Sequence, residues 1–358
     1  MFSRVLVTGG AGFIGSNFVR FLLARRPDAG VVNLDALTYA GRRESLADVD
    51  GNSRYRFVHG DICDRELVTR LVADCDAVVH LAAESHVDRS IMDSGPFVRT
   101  NVGGTQPLLA AARRAGGRRF LLVSTDEVYG SLPLDRPELR FTEDSALAPN
   151  SPYAASKAAA DLLVRAYHHT FGLDAVVTRS SNNFGPYQFP EKVIPLFVTN
   201  LIDGQRVPLY GDGLNVRDWL HVEDHCAALL AVLERGRAGE VYNVGGDNQR
   251  SNRELTETIL RLMGQGPEMI QPVPDRPGHD RRYAIDAGKI ARELGWRPTR
   301  SAWPAALAET VSWYREHPEW WRPLKAQQVS PPSADQACSE CGRCLEMRDG
   351  GAGLSPRV

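Results

Sequence analysis

The sequence contains no apolar run approaching the roughly 20 residues that a membrane-spanning helix requires. Its net charge of −2 provides no field that would attract nucleic acid or an anionic membrane, so neither is an expected partner. The first residues carry no signal-peptide pattern, and we therefore expect a cytoplasmic protein. Lysine is also scarce: only four of the 42 basic residues are lysines, which we attribute to genomic bias.

Cysteine is sparse and divides into two groups of three. Cys338, Cys341 and Cys344 form a C-x-x-C-x-x-C pattern that could contribute to a zinc or iron–sulfur site. A closed site needs a fourth ligand, and none follows nearby, so we expect no metal and keep a metal or redox role as the alternative. The remaining three stand alone in patterned segments and are predicted to be free thiols: Cys63, Cys75 and Cys226.

Short apolar runs alternate with helical periodicity through the first half of the chain. This alternation predicts an α/β fold, a Rossmann-like doubly wound parallel sheet covered on both faces by helices. The predicted strands are 5–7, 31–34, 56–58, 77–81, 120–123 and 175–177, and the predicted helices are 12–23, 97–112 and 152–171.

The pattern changes after about residue 182, where four prolines interrupt short segments. We interpret 1–181 as the dinucleotide-binding domain with the catalytic residues. Residues 182–325 would form a smaller, irregular C-terminal substrate-binding region, with helices at 222–233 and 253–262 and some segments returning to the first domain. Residues 326–358 are rich in Ser, Pro and Gly and are predicted to be a disordered tail.

A glycine motif lies between the first strand and the first helix. Gly9, Gly12 and Gly15 permit a tight turn, close approach of a pyrophosphate and tight helix packing, and the helix N-terminus offers free N–H groups to phosphates. Asp35 follows Gly15 by twenty residues and would accept hydrogen bonds from ribose hydroxyls, which favours NAD over NADP. Asp61, after the third strand, is predicted either to border the adenine or to cap a helix.

A tyrosine and a lysine stand four residues apart at Tyr153 and Lys157. On a helix they share one face, so that the lysine charge can lower the pKa of the phenol and allow it to act as a base toward an alcohol. A tyrosine and a lysine at this spacing are common by chance. We interpret this pair as functional because it follows a dinucleotide-binding glycine motif in the same predicted domain.

The run Thr125-Asp126-Glu127 ends the buried strand predicted at 120–123. Ligands bind at the carboxyl ends of strands in parallel sheets, so these side chains should face a site. An acid and a base side by side exceed what a simple alcohol oxidation requires. We therefore predict the elimination of water coupled to an internal redox step.

Several motifs together resemble the extended short-chain dehydrogenases/reductases, and among them the dTDP-glucose 4,6-dehydratases. The resemblance runs from about residue 3 to about 325. Its specific element is the Thr-Asp-Glu run, since related epimerases generally lack the acid pair. It rests on segments 8–15, 37–41, 80–90, 124–130, 182–192 and 275–283, together with Tyr153 and Lys157.

The resemblance implies a closed redox cycle with NAD as the cofactor and dTDP-glucose as the substrate. Tyr153 would take the proton of the C4 hydroxyl while the C4 hydride passes to NAD, and Thr125 would hydrogen-bond the C4 oxygen. Glu127 would remove the C5 proton while Asp126 protonates the departing C6 hydroxyl. Return of the hydride to C6 gives a 4-keto-6-deoxy sugar nucleotide.

The resemblance also implies individual contacts and a homodimer formed through helices near 97–115 and 152–170. Cofactor contacts beyond the glycines would be Phe13, Ile14, Asp35, Thr38, Asp61, Ile62, Leu81, Ala82, Ala83, Thr100, Tyr153, Lys157 and Asn183. Substrate contacts would be Ser85, Thr125, Asn182, Lys192, Val193, Pro208, Tyr210, Arg217, Asn252, Arg276 and His279. Arg217 and Arg276 suit a diphosphate, although either arginine taken alone would be expected on the solvated surface.

Two other functions stay open at this point. A 4-epimerase, or a dehydratase of another nucleotide sugar, would use the same glycine motif and Tyr/Lys pair. A non-catalytic dinucleotide sensor would have no need of Tyr153 and Lys157 in register with Asp126 and Glu127. His86 is either a satisfied loop histidine or a catalytic one.

Overall fold

The computed structural model describes residues 2–329, and the cysteine pattern at 338–344 lies outside that range. Seven parallel strands form the main sheet in the order β3-β2-β1-β4-β5-β6-β10. This is the doubly wound order with one added strand, so the predicted fold class is confirmed. Its strands are β1 (Arg4–Thr8), β2 (Gly30–Asp35), β3 (Tyr55–His59), β4 (Ala77–His80), β5 (Arg119–Thr125), β6 (Ala175–Ser180) and β10 (Val241–Val244).

Helices cover both faces of this sheet. One face packs against α1 (Phe13–Arg25), α8 (Val222–Arg235) and α10 (Gly288–Leu294), and the other against α2 (Arg65–Ala73), α5 (Thr105–Arg114) and α6 (Pro152–Phe171). The strands are apolar on both sides because both sides are buried. Phe18 of α1 is fully buried in this core, and burial of such a side chain contributes about 1.5–3 kcal/mol.

The predicted helix 97–112 is divided into consecutive segments. They are α4 (Gly95–Phe97), a π-helical turn (Val98–Gly103) and α5, and they follow the short helix α3 (Val87–Met92). The π-helical turn brings Asn101 inward, where its side chain bonds to the main chain of Glu84 and to the Ser156 hydroxyl of α6.

The smaller region has its own core and two small sheets. One sheet contains β7 (Asn182–Phe184), β9 (Val216–His221) and β11 (Gln249–Ser251), and the other pairs β8 (Val207–Tyr210) with β12 (Ile270–Val273). Four helices surround the core: α7 (Val193–Ile202), α9 (Asn252–Met263), α11 (Ala305–Glu316) and α12 (Pro318–Val329). Short 3₁₀ turns lie at Arg43–Leu46, Asp126–Tyr129 and Pro267–Met269.

The sequence-based boundary of the tail is wrong by four residues. Helix α12 continues through Val329, so 326–329, which were assigned to the tail, are helical. The helix is held by the fully buried indole of Trp321, which donates to the carbonyl of Tyr314 at 2.7 Å. Within residues 2–329, Cys63, Cys75 and Cys226 are free thiols, as predicted. No helix in this range is long and apolar enough to cross a membrane.

Candidate active site

A cavity of about 400 Å³ opens at the carboxyl ends of β1, β4, β5 and β6. All residues predicted to bind the cofactor line it, and so do all five predicted catalytic residues. The sheet itself explains this convergence, because parallel strands deliver the loops that follow them to the same edge.

The glycine loop leaves no room for side chains. Gly9 has φ of 70°, and a Cβ there would lie 2.6 Å from the main-chain nitrogen of Ala82. A Cβ on Gly15 would lie 2.1 Å from the carbonyl oxygen of Gly9, so α1 packs directly on the turn. Gly12, the N-cap of α1, provides no capping side chain, and the first N–H groups of the helix stay available to an anion.

Asp35 ends β2 at the rim of this loop. Its carboxylate accepts hydrogen bonds from the main-chain N–H of Ala11 and of Leu37, each at 2.8 Å. Burial raises its pKa, while these two bonds oppose the rise by stabilising the anion. The carboxylate is thus fixed beside the glycine loop, where it can accept ribose hydroxyls and repel an added phosphate.

Asp61 does not cap a helix. One of its carboxylate oxygens accepts from the N–H of Cys63 and the other pairs with Arg99 at 2.5 Å, while Asp64 caps α2. Ile62 lies beside it and is buried at the cavity wall. These features fit a dinucleotide. The glycine loop at the N-terminus of α1 fits its phosphates, Asp35 fits a ribose, and the apolar wall at Ile62 fits a base.

Tyr153 and Lys157 lie on α6 and line the cavity. Lys157 is buried and donates from Nζ to the carbonyl oxygen of Val123 at 2.8 Å, and burial lowers its pKa to about 8. The pKa of Tyr153 is raised well above its usual value by burial and by the Glu127 carboxylate, and the interaction with Thr125 lowers it. The direction of this shift is opposite to the lowering that the sequence argument expected from the lysine.

Asp126 and Glu127 begin the 3₁₀ turn that follows β5, and Thr125 caps it. The Thr125 hydroxyl accepts from the N–H of Glu127 at 3.3 Å and donates to Oδ1 of Asp126 at 3.4 Å. Burial and the neighbouring Glu127 carboxylate raise the pKa of Asp126 well above its ordinary value. Oδ2 of Asp126 is buried without a partner among the described residues, so a bound molecule could use it.

Burial also raises the pKa of Glu127, but three cations oppose this rise: Arg217, Arg276 and Lys192. Arg217 is only 6 % exposed, so the surface position expected for an isolated arginine is wrong for it. Its guanidinium donates to the Asp280 carbonyl at 3.0 Å and lies 4.2 Å from the centre of the Tyr283 ring. The surroundings of the two neighbouring acids therefore differ: the Glu127 carboxylate adds to the rise of the Asp126 pKa, whereas three cations oppose the rise at Glu127.

The predicted substrate contacts divide into two groups in the structure. The first group lines the cavity: Ser85, Thr125, Asn182 and Lys192. The second lies outside that lining, in the smaller region and its loops: Val193, Pro208, Tyr210, Arg217, Asn252, Arg276 and His279. Within the second group, the rings of Tyr210 and His279 meet edge to face at 6.2 Å, and Arg276 pairs with Asp88 at 2.7 Å.

Among the cavity residues that were not predicted as contacts from the sequence, Glu191 and Tyr39 carry polar groups beside Lys192 and Arg89. Glu191 is buried beside Lys192 and pairs with Arg89 at 3.0 Å, and Tyr39 lies beneath the same arginine at 4.0 Å. Both residues lie in segments on which the resemblance rests, Tyr39 in 37–41 and Glu191 in 182–192, and those segments were the signal that could have found them. His86 is the N-cap of α3, where Nδ1 accepts from the N–H of Arg89, and its Nε2 lies 3.6 Å from the Glu191 carboxylate.

The fold and the cavity define a class, the dinucleotide-binding enzymes of the extended short-chain dehydrogenase/reductase type. A family model described as GDP-mannose 4,6 dehydratase matches residues 6–303. The dTDP-glucose 4,6-dehydratase of Streptomyces niveus is 56% identical over 344 residues, which cover 95% of this chain and 100% of that protein. The Mycobacterium tuberculosis enzyme of the same name is 52% identical over 322 residues, or 90% of this chain and 96% of that protein.

Solved structures of related proteins have the same fold as this chain. DesIV, a dTDP-glucose 4,6-dehydratase from Streptomyces venezuelae solved with NAD bound, is 57% identical with a TM-score of 0.87, covering 90% of this chain and 99% of that chain. A UDP-glucose 4-epimerase from Thermus thermophilus reaches 34% identity and a TM-score of 0.80, covering 88% and 99%. The chain belongs to the dTDP-glucose 4,6-dehydratase family.

Proposed function

We propose that the protein converts dTDP-glucose to dTDP-4-keto-6-deoxyglucose by C4 oxidation, elimination of water across C5 and C6, and reduction at C6. The observation that carries this proposal is the Asp126–Glu127 pair at the end of β5, with Asp126 buried and Glu127 half-buried, which lines the same cavity as Tyr153. The family's named substrate and the NAD in a related structure support it.

Residues on α6 and at the end of β5 would catalyse the oxidation at C4. NAD, when bound, supplies the acceptor for the C4 hydride and the donor of a hydride to C6. Tyr153 removes the proton of the C4 hydroxyl, and Thr125 donates a hydrogen bond to the same oxygen. Lys157, buried beneath the cavity, stabilises the phenolate through its charge.

The elimination needs one group that accepts a proton and one that gives a proton. The C4 ketone acidifies the C5 hydrogen, and Glu127 removes it because Arg217, Arg276 and Lys192 favour its anion. Asp126 retains its proton beside the Glu127 charge and delivers it to the departing C6 oxygen. The different surroundings of two adjacent carboxyls therefore assign the base and the acid.

Residues of 182–325 would hold the nucleotide part of the substrate. Arg217 and Arg276 offer guanidinium groups that can grip a diphosphate in two places, and both act on Glu127 electrostatically. Arg276 is held by Asp88 of α3, and substrate phosphates would compete for it. The preference for thymine is proposed from the named substrate of the relatives.

The test is incubation of the purified protein with dTDP-glucose and no added cofactor, followed by the alkaline absorbance of a 4-keto-6-deoxy sugar. Product without added NAD supports dehydration with a retained, regenerated cofactor. UDP-glucose and CDP-glucose measured in parallel establish the base preference. Absence of the keto product with all three nucleotides would refute the proposal.

A 4-epimerase is the second candidate, because an epimerase structure shares the fold at 34% identity. An epimerase has no use for a proton donor at C6, so the buried Asp126 disfavours it. A galactose product in the same incubation would select this alternative and make Asp126 and Glu127 structural.

We also propose a cytoplasmic homodimer formed through helices near 97–115 and 152–170. Large apolar side chains on these helices are exposed: Val98, Leu162 and Phe171 are 56%, 56% and 44% exposed. Exposed apolar area of this kind on neighbouring helices favours burial against a second copy. Sedimentation analysis of the wild-type protein and of Leu162→Glu tests it: a monomeric wild type would refute the dimer.

A further inference from the structure

Tyr153 lies in the first turn of α6, where the helix does not hold its own main chain. The first N–H groups of a helix have no acceptor within the helix, so they depend on other partners. Ser151 is the N-cap, Pro152 has no N–H, and Ala155 donates to the carbonyl of Ser151 at 2.9 Å. The N–H groups of Tyr153 and Ala154 therefore need acceptors from outside the hydrogen-bonded ladder of the helix.

Two serine hydroxyls accept these two hydrogen bonds. The hydroxyl of Ser151 accepts from the N–H of Ala154 at 3.1 Å, which is an ordinary local cap. The hydroxyl of Ser90 accepts from the N–H of Tyr153 at 3.2 Å, although Ser90 lies on α3, 63 residues earlier in the chain. Ser90 is 1% exposed, and its hydroxyl donates to the carbonyl of Val87 at 2.6 Å, which fixes the direction of the accepting oxygen.

The ring and the carbonyl of Tyr153 are held by the same part of the chain. Phe97 is buried in α4 and meets the Tyr153 ring edge to face, with 6.4 Å between the ring centres. The carbonyl of Tyr153 accepts from the Ser156 hydroxyl at 2.7 Å, and Ser156 is in turn bonded to Asn101 of the π-helical turn. The segment that follows β4 therefore fixes Tyr153 at its N–H, at its ring and, through Ser156, at its carbonyl.

Helix α3 also contacts the parts of the site that would hold the substrate. Asp88 pairs with Arg276 at 2.7 Å, and Arg89 pairs with Glu191 of the cavity wall at 3.0 Å. Three consecutive residues of one short helix thus reach the predicted diphosphate-binding arginine, the cavity wall and the first turn of α6. Ser90 itself does not line the cavity, so it can affect the reaction only through the residue that it holds.

We propose that Ser90 is a positioning residue for Tyr153: its hydroxyl holds the first turn of α6 so that the phenol stays in register with Lys157 and with the C4 hydroxyl of the sugar. Lys157 lies one turn further along α6, inside the hydrogen-bonded ladder, and does not need such support. Without the Ser90 hydroxyl, the first turn can shift while the lysine stays in place. This role rests on the proposed dehydratase function, and it is not among the contacts that the resemblance implies.

The test compares Ser90→Ala with Ser151→Ala, because each variant removes one cap from the same helix end. The measurements are kcat and KM for the 4-keto product, and the deuterium isotope effect on kcat with dTDP-glucose labelled at C4. A misplacement of about 1 Å can cost about 100-fold in rate, so kcat of Ser90→Ala should lie at least about tenfold below that of Ser151→Ala. Its isotope effect should be at least as large as that of the wild type, because the C4 step is the one that slows.

Thermal unfolding should show similar losses of stability in the two variants, and KM should change little in either. Equal kcat values in the two variants would mean that any loosening of this helix end has the same effect, and would overturn the proposal. A loss expressed in KM rather than in kcat would also overturn it, as would an isotope effect below that of the wild type.

If Ser90→Ala does not fold, Ser90→Cys is compared with Ser151→Ala in the same way. Cysteine keeps the size of the side chain, but its sulfur is a weaker acceptor than a hydroxyl oxygen, so the same ordering of kcat values is expected. Absence of keto product from the wild type would instead refute the proposed function, and the role of Ser90 with it.

Discussion

The ammonium group of Lys157 donates to the carbonyl oxygen of Val123 at 2.8 Å, which ties helix α6 to strand β5 beneath the active site. Burial around this bond lowers the pKa of Lys157 to about 8, and the charge of Asp161, one helical turn further on, opposes the fall. A lysine with this pKa changes charge within the range where the enzyme can be assayed.

We expect kcat/KM to decline as the pH rises through about 8. Below that pH Lys157 is charged and stabilises the Tyr153 phenolate, and above it the neutral amine no longer does. Lys157→Gln should lose this alkaline limb and reduce kcat about 100-fold. Lys325→Gln, a half-buried lysine of α12 that does not line the cavity, should retain both the alkaline limb and the wild-type kcat. A pH profile of Lys157→Gln with the wild-type limb would contradict this assignment.

Glu127→Gln should reduce formation of the 4-keto product by about 100- to 10,000-fold, because the amide cannot take the C5 proton. The second readout is deuterium from D₂O at C5 of the product, which the variant should lose in proportion. Glu138→Gln is the control, since that carboxylate is exposed on the surface. Full turnover by Glu127→Gln would exclude the elimination mechanism and favour epimerisation.

Asp35 should determine the preference for NAD over NADP. In cofactor-stripped protein we expect NAD to raise the unfolding temperature and NADP to raise it much less. Asp35→Asn should weaken NAD binding about tenfold, which is about 1.4 kcal/mol, while the exposed Asp28→Asn should not. Equal NAD-induced shifts in the two variants would show that the carboxylate does not contact the cofactor.

The fold of the first 180 residues could be predicted because its signals are local. The glycine loop, Asp35 and the Thr-Asp-Glu run each follow a strand that is readable as a short apolar run, and parallel topology brings their ends together. Long-range features could not be predicted. Strand β10 joins the main sheet beside β6 although more than 60 residues separate the two strands. β10 is only four residues long, which is too short to show a clear hydrophobic pattern in the sequence.

The smaller region shows why the remaining site was harder to predict. Pro195 suggested an interruption, but it lies in the first turn of α7, where proline is tolerated. Arg217 was expected at the surface when taken alone, because its buried partners Asp280 and Tyr283 lie more than 60 residues away. Because these partners are distant in sequence, the residues that flank Arg217 do not indicate that it is buried.

Gly9→Ala and Gly172→Ala form a matched pair that tests the close approach in the glycine loop. Both glycines have φ near 70°, where alanine costs about 1–2 kcal/mol, but a Cβ at Gly172 would meet nothing within 4 Å. A Cβ at Gly9 would collide with the main chain of Ala82, so its free energy of unfolding should fall by about 1–3 kcal/mol more. Urea unfolding measures the difference, and NAD binding should weaken only in Gly9→Ala. If the two variants lost equal stability and Gly9→Ala bound NAD normally, the glycine loop would be able to shift away from Ala82. Gly9 would then be required only for its positive φ and not for the close approach.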